Sequence, residues 1–378
     1  MVFKPKLAFV TKQLELIKKQ DLYRTLRYGT INGAYTVVNG KKLLNLSSND
    51  YLGIPPTKLQ LQQLQSSSRL VSGNDPSFRI LEKKLAKHKS QEECLIFPTG
   101  YMANLGCISA TVSKNDLILS DELNHASIID ACKLTNAKTV VFKHNNIDDL
   151  EEKVKRKGKR KFIVSEGIFS MDGDFAELPE ITKIAERNNA ITILDDAHGD
   201  FVVGKDGKGT ADFFEVSKKI DVYVSSLSKA LGSFGGYVVS QKNIIELCIN
   251  RSKSFIYTSA LPSTLVSYSI QRFDSNREKF RKKLQKNVRH IIHGLKSIGY
   301  QFESKTHIIP IIIGNEKEAL DFGRYLYTKG IFAQPIRFPT VRRGQARIRL
   351  SVTAWLCKNQ IEKALRVFEL AAKKFSIV

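Results

Sequence analysis

Between about residue 46 and residue 265, short apolar runs alternate with stretches of helical period. The runs are CLIF (94–97), DLIL (116–119), TVVF (139–142), KFIVS (161–165), AITILD (190–195), DVYVSS (221–226) and GYVVS (236–240). Each is apolar at consecutive positions rather than at every second one, which is what a strand covered on both faces requires. Strands of this kind separated by helices predict an α/β domain built on a mainly parallel seven-stranded sheet. Ahead of it, residues 1–45 read as a helical arm (Leu14, Ile17, Leu22, Leu26) followed by a short hairpin around Asn39-Gly40. After residue 270 comes a long basic helix with Phe280, Leu284 and Val288 on one stripe. Strands near 307–313 and 347–352 and a closing helix over 358–374 then predict a small α+β C-terminal domain. The expected organisation is an arm (1–45), a large domain (46–270) and a small domain (271–378).

Composition narrows the picture. A chain of 378 residues with 42% hydrophobic and 26% charged positions has ample material for such cores. No apolar run approaches the length of a bilayer span, and the stretch from Leu7 to Val10 is too short for a leader. The five cysteines, Cys94, Cys107, Cys132, Cys248 and Cys357, form no CxxC pair and read as reduced core cysteines of a cytoplasmic protein. The net charge of +23 raises the question of nucleic acid. Its densest runs, KVKRKGKRK (153–161) and REKFRKKLQKNVRH (277–290), carry no interleaved exposed aromatics and read as solvated surface. Neither a nucleic-acid partner nor a membrane is expected, although the positive potential would attract a polyanionic substrate. His290 and His293 have no third ligand cluster nearby and read as helix surface.

The chemistry falls at strand ends, where open α/β sheets hold their ligands. AITIL runs into Asp195-Asp196-Ala197-His198, and DVYVSS into Leu227-Ser228-Lys229. CLIF runs into Pro98-Thr99-Gly100-Tyr101 at a helix start, and KFIVS into Glu166-Gly167-Ile168-Phe169-Ser170. These groups match the needs of pyridoxal 5′-phosphate. Lys229 is the amine for its aldehyde, and Asp195 is the carboxylate for its ring nitrogen. Gly100 and Tyr101 at a helix N-terminus, with the Ser226 hydroxyl, suit its phosphate. His125 is placed to stack on the ring and His198 to bond the ring hydroxyl. The alternatives are a strand-end pair for Asp195 and His198, a helix-start histidine for His125, and surface arginines for Arg349, Arg24 and Arg27. A basic nucleic-acid binder and a catalytically dead scaffold on a reused fold are the non-enzyme readings.

Nine segments, in order along nearly the whole chain, carry a resemblance. They are LSSNDYLGI (46–54), SRLVSGN (68–74), FPTGYMANLG (97–106), LNHASIIDA (123–131), EGIFSMDGDFAEL (166–178), LDDAHGDFVVG (194–204), SLSKALGSFGG (226–236), YTSALP (257–262) and ARIRLSVTA (346–354). The chain resembles the α-oxoamine synthases, which are fold-type I aminotransferase-like enzymes. These enzymes join an amino acid to an acyl thioester with loss of carbon dioxide. The resemblance implies that Lys229 binds the cofactor and removes the amino acid's α-proton, and that Asp195 pairs with the ring nitrogen. It implies that His198 and Ser170 contact the ring oxygen, that His125 stacks on the ring, and that Gly100, Tyr101 and Ser226 hold the phosphate. Thr258 would reach the phosphate of the other subunit in a homodimer with shared active sites. Arg349 would grip the amino-acid carboxylate, Asn49 and Glu166 would line the acyl side, and Arg24 or Arg27 would offer that substrate a cation.

Within the family, NDYLG, EGIFSMDGDFAEL and DDAHG are most similar to the members that condense L-alanine with a pimeloyl thioester in biotin synthesis. The carrier would be coenzyme A or acyl carrier protein. Members that use glycine and acetyl-coenzyme A are the nearest alternative. Three features depart from the pattern. Gln65-Ser66-Ser67-Ser68 replaces a glycine-rich stretch, Asp200 stands where a small residue or threonine is common, and Trp355-Leu356 follow ARIRLSVTA.

Overall fold

The computed structural model describes residues 5–59 and 67–377, so Gln65 and Ser66 of the first departure lie outside the described residues. Two compact units are present. The larger comprises Asn49–Ser170 and Asp174–Lys283, and the smaller Met1–Ser48, Met171–Gly173 and Leu284–Val378. The division thus groups the N-terminal residues with the C-terminal ones, and it falls inside the basic helix Arg277–Ile298.

The larger unit is built on seven strands: β1 (Glu93–Phe97), β2 (Leu117–Asp121), β3 (Lys138–Phe142), β4 (Lys161–Glu166), β5 (Ala190–Asp195), β6 (Val222–Ser226) and β7 (Gly236–Ser240). They form one sheet in the order β1-β7-β6-β5-β4-β2-β3. The four pairings from β6 through β5, β4 and β2 to β3 are parallel. β7 runs antiparallel to both β1 and β6, so the sheet is mixed with a parallel majority. The uninterrupted apolar runs are explained by burial: every residue of β2, β6 and β7 is buried. One side of the sheet packs into a cluster that includes Phe97, Ile118, Phe162, Val224 and Val238, with Cys107 and Cys248 from the covering helices. Each such large side chain removed from water contributes about 1.5–3 kcal/mol.

Two helices bear on the site. α1 (Pro76–Lys89) opens with Asp75 accepting the Ser77 N–H at 2.8 Å and proline in the first turn, and it ends at Ser90 in the left-handed region. α2 (Gly100–Thr111) opens with Thr99 Oγ1 accepting the Met102 N–H at 3.1 Å.

The smaller unit contains two further sheets. One joins Gly29–Asn32, Tyr35–Val38, Lys41–Asn45 and Ile331–Phe332, and the other joins Ile308–Gly314, Ala346–Ser351 and Pro335–Ile336. The expected hairpin is there, with Asn39 and Gly40 both at positive φ (50° and 75°), as a two-residue turn between twisted strands demands. Two expectations need correction. The arm helix is Ala8–Lys19, so Leu22 and Leu26 follow it; Leu22 is buried and Leu26 is 86% exposed. Four cysteines are buried free thiols, but Cys357 is exposed, because it caps the helix Lys358–Phe375 rather than facing a core. Among the described residues no helix is long and apolar enough to cross a membrane.

Candidate active site

The carboxyl ends of β4, β5 and β6 and the start of α2 bring the expected groups of the larger unit to one rim. Asp195 ends β5, directly paired with Glu166 at the end of β4. Its carboxylate is buried and accepts from Asn104 Nδ2 at 2.6 Å and from the Ala197 N–H at 3.0 Å. Both partners are donors, which suits the acceptor oxygens of a carboxylate. Asn104 lies one turn into α2 from Gly100, and the same Nδ2 donates to Ser127 Oγ at 2.9 Å. Ser127 in turn meets His125 Nδ1 at 2.8 Å, and its N–H also donates to that nitrogen at 3.2 Å. Nδ1 is therefore the acceptor, and the His125 proton sits on Nε2. Burial lowers the pKa of this imidazole; Lys229 adds to the effect and Asp195 opposes it, so His125 is neutral. His125 also meets the Tyr101 ring edge to face, with centroids 6.2 Å apart.

His198, three residues past Asp195, is buried and bonds the Tyr51 hydroxyl through Nδ1 at 2.7 Å. That hydroxyl donates to Asn49 Oδ1 at 3.1 Å, so it must accept from His198, which fixes a proton on Nδ1. Glu166 is 2% exposed. Burial and the neighbouring Asp195 push its pKa well above the usual range, against the pull of Lys229 and of the His125 and Ser170 N–H groups. Its neutral form is favoured accordingly, and its Oε1 has no hydrogen-bond partner among the described residues.

Lys229 is half-buried, on the loop that joins β6 to β7. That loop is pinned by Leu227 N–H to Gly235 O and Ser233 N–H to Leu227 O, both at 2.9 Å. Beside it, Ser226 Oγ meets Ser228 Oγ at 2.8 Å, and a Cβ on Gly100 would come within 3.2 Å of Ser226 Cβ. The first N–H groups of α2, at Gly100 and Tyr101, have no acceptor within the helix, and a Cβ on Gly100 would also come within 3.4 Å of the Ser226 hydroxyl oxygen. A Cβ on Gly236 would stand 2.5 Å from both Gly100 Cα and Gly100 N, so only glycine lets β7 approach the helix start. Free N–H groups at a helix start beside a hydroxyl are the elements of an anion cradle. Ser170 is buried near Glu166, and Thr258 is half-buried on the turn after Lys253–Ile256.

The remaining three expected residues belong to the smaller unit. Arg24 and Arg27 line a cavity of about 480 Å³ together with Arg324 and Arg337, two arginines that sequence reasoning did not single out. Arg349 is buried on Ala346–Ser351 and donates to Ser351 Oγ at 2.8 Å. Its neighbour Arg347 pairs with Asp172 at 2.6 Å. Asn104, Ser127 and Tyr51 were missed. The available signal was an asparagine within GYMANLGCISAT, an otherwise apolar helix, where a buried amide requires a partner.

Comparison with known proteins agrees with this geometry. Residues 41–368 match the family model described as aminotransferase class I and II. The chain is 41% identical over 389 residues to the 8-amino-7-oxononanoate synthase of Thermoanaerobacter pseudethanolicus, an alignment covering 98% of each. A serine palmitoyltransferase from S. paucimobilis, solved with PLP and myriocin bound, superposes with a TM-score of 0.92 at 25% identity over 100% of both chains. The 8-amino-7-oxononanoate synthase of Francisella tularensis superposes with a TM-score of 0.73 at 27% identity, covering 88% of this chain and 98% of that one.

Proposed function

The chain belongs to the class I and II aminotransferase family and, within it, to the α-oxoamine synthases, and on that premise we propose that it condenses L-alanine with a pimeloyl thioester as an 8-amino-7-oxononanoate synthase. It is a pyridoxal 5′-phosphate enzyme. The residues fit that cofactor: a half-buried lysine, a buried carboxylate held by two donors and a helix-start anion cradle share one rim. That arrangement is the observation that carries the reading.

Bound there, pyridoxal phosphate supplies an aldehyde for the amino group of the substrate and an electron-poor ring that stabilises a carbanion. The protein's part follows from its own atoms. The Gly100 and Tyr101 N–H groups and Ser226 would hold the phosphate, with Thr258 serving the partner subunit of a homodimer. Asp195, fixed by Asn104 and Ala197, would keep a proton on the ring nitrogen. His198 and Ser170 would hold the ring oxygen, and neutral His125 would lie against the ring. Lys229 would anchor the aldehyde and, once displaced by alanine, take the proton from the substrate Cα. Arg349 would bind the amino-acid carboxylate with its fork of donors. The Cα would then bond to the thioester carbonyl carbon as the thiol leaves, carbon dioxide would depart from the former alanine carboxylate, and a proton would return to the Cα. Asn49 and Glu166 would face the acyl substrate, and Arg24 or Arg27 would offer a cation to its anionic groups. The carrier would be coenzyme A or acyl carrier protein, and the setting cytoplasmic.

A second reading is favoured by one observation, the higher TM-score to a serine palmitoyltransferase. It would use serine and a long-chain acyl thioester. The 41% identity to an oxononanoate synthase weighs the other way. A thiol-release assay separates the two. It crosses alanine, glycine and serine with pimeloyl-, acetyl-, succinyl- and palmitoyl-coenzyme A, with Lys229→Ala as the blank. Turnover confined to alanine with the pimeloyl thioester supports the proposal. Turnover confined to serine with palmitoyl-coenzyme A, or to glycine with acetyl-coenzyme A, overturns the substrate choice.

A further inference from the structure

Directly behind the rim lies a charged cluster that the proposed reaction does not use. Lys89, the last residue of α1, is fully enclosed, its side chain 1% exposed. Its ammonium has three acceptors for its three hydrogens: Asp200 Oδ1 at 2.7 Å, Asp196 Oδ2 at 3.1 Å and the Lys208 carbonyl at 2.7 Å. Asp200 is one of the three features that set the sequence apart from the pattern it resembles. Its second oxygen accepts from Ser225 Oγ at 2.9 Å and from the Tyr237 hydroxyl, and its first also meets His88 Nε2 at 3.2 Å. Asp196 accepts from Thr210 Oγ1 at 2.8 Å and from the Thr210 N–H at 3.0 Å. No slack remains around it. A Cβ on Gly209 would stand 1.8 Å from Asp196 Oδ2, and one on Gly199 would stand 2.3 Å from Asp196 Oδ1.

The placement is specific. Asp196 and Asp200 are the two ends of the turn that carries His198, closed by the Asp200 N–H donating to Asp196 O at 2.8 Å. Asp196 follows Asp195, and Ser225 precedes Ser226. One ammonium therefore ties both ends of the turn together. Through Asp200 the same group joins that turn to β6 and β7, the strands flanking the anion cradle. Burial opposes the charge on Lys89, but the two carboxylates outweigh it and raise its pKa. Burial likewise opposes the charge on Asp200, but Lys89 and His88 outweigh it and lower its pKa. Asp196 is the acid left under-compensated; burial, with Asp200 beside it, pushes it up to about 6 despite Lys89. His88, its pKa lowered by burial, is neutral, and Arg277, Tyr237 and Cys94 are the other charged and titratable groups facing Asp200.

We propose that Lys89 and Asp200 are positioning residues for the cofactor: a buried ionic clamp that sets the direction of Asp195 and His198. It rests on the pyridoxal-phosphate reading of the rim.

The test uses the purified holoprotein, stripped of pyridoxal phosphate and titrated back with it. Three quantities are followed: cofactor dissociation constant, pH profile of the visible absorbance band, and melting temperature. Asp200→Asn breaks the clamp while keeping the shape. Lys89→Met/Asp200→Asn removes the ammonium and this carboxylate together, and Asp196, whose pKa burial already raises, is left to take a proton rather than remain a lone buried charge. In both, the expected result is about a tenfold weaker cofactor dissociation constant and a displaced pH profile. Asp200→Glu should restore part of each. A lower melting temperature with cofactor affinity and pH profile unchanged in the double variant would overturn the clamp's positioning role. Failure of the unaltered protein to bind pyridoxal phosphate would overturn the reading beneath it as well, which distinguishes the two failures.

Discussion

Asn104 shows how much of a site can hang on one uncharged amide. Its Nδ2 serves Asp195 and Ser127 at once, and through Ser127 it sets which nitrogen of His125 carries the proton. Asn104→Ala leaves a buried carboxylate short of a donor. A hydrogen bond to a charged group is worth about 1.5–3 kcal/mol, so kcat/KM should fall by about 10- to 100-fold with far-ultraviolet circular dichroism unchanged. His144 offers a second prediction at this scale. Burial disfavours its charge, but hydrogen bonds to Asp121 at 3.0 Å and Asp174 at 2.7 Å outweigh that and push its pKa up to about 10. A histidine pKa raised on folding contributes stability in full below about pH 6.5, and the contribution is lost as pH climbs through about 10. Melting temperature should therefore fall between pH 7 and 10, and His144→Asn should flatten that fall. Reading residues from sequence picks out a residue by its own chemistry and its place at a strand end, as with Lys229 and Asp195. It failed where the residue acts through a neighbour, as with Asn104 and Tyr51, because the neighbour is supplied by a distant strand or helix.

At the scale of elements, the strands were legible because two-sided burial leaves no polar position to break the run: β5 and β7 have the bounds expected of them. Ile331–Phe332 and Pro335–Ile336 were not, because two residues carry no period. The helix Glu316–Thr328 buries Ala319, Phe322, Gly323 and Leu326, a helical spacing present in the sequence and passed over. The contact between β7 and the start of α2 makes the sharpest prediction about an element. Gly236→Ala forces a methyl group to 2.5 Å from Gly100 backbone atoms, so the helix start must move. Overpacking of this kind costs about 1–3 kcal/mol. The expected outcome is a lower melting temperature together with a loss of pyridoxal-phosphate affinity, measured by titration of the stripped protein.

Across the molecule, the charge of +23 needs placing before it is given a role. In the run 153–161, Lys153 pairs with Asp149 and Arg160 with Asp116, while Lys155, Arg156, Lys157 and Lys159 face solvent. That run enters β4 at Lys161, and the rim lies at the other end of the strand, at Glu166. Five residues of strand span about 17 Å, roughly two screening lengths at physiological salt. Changing those four exposed residues to serine should leave KM for the anionic thioester within about twofold; a larger rise in steady-state assays at about 0.15 M salt would give the patch a part in substrate capture. The order of chemical segments along the chain was legible at this scale, but the division into units was not, because it joins residues from opposite ends of the sequence. The same property of long separation governs how the protein comes into being. β1 pairs with β7, whose residues lie about 140 positions later in the chain, and with no other strand of the sheet. Synthesis at about 5–20 residues per second leaves that strand waiting roughly 7–30 seconds on the ribosome with an unpaired apolar edge. The cradle proposed for the phosphate needs the same late strand, so uptake of pyridoxal phosphate there would have to wait until residue 240 has emerged. A nascent chain stalled earlier would be a substrate for chaperones and not for the vitamin.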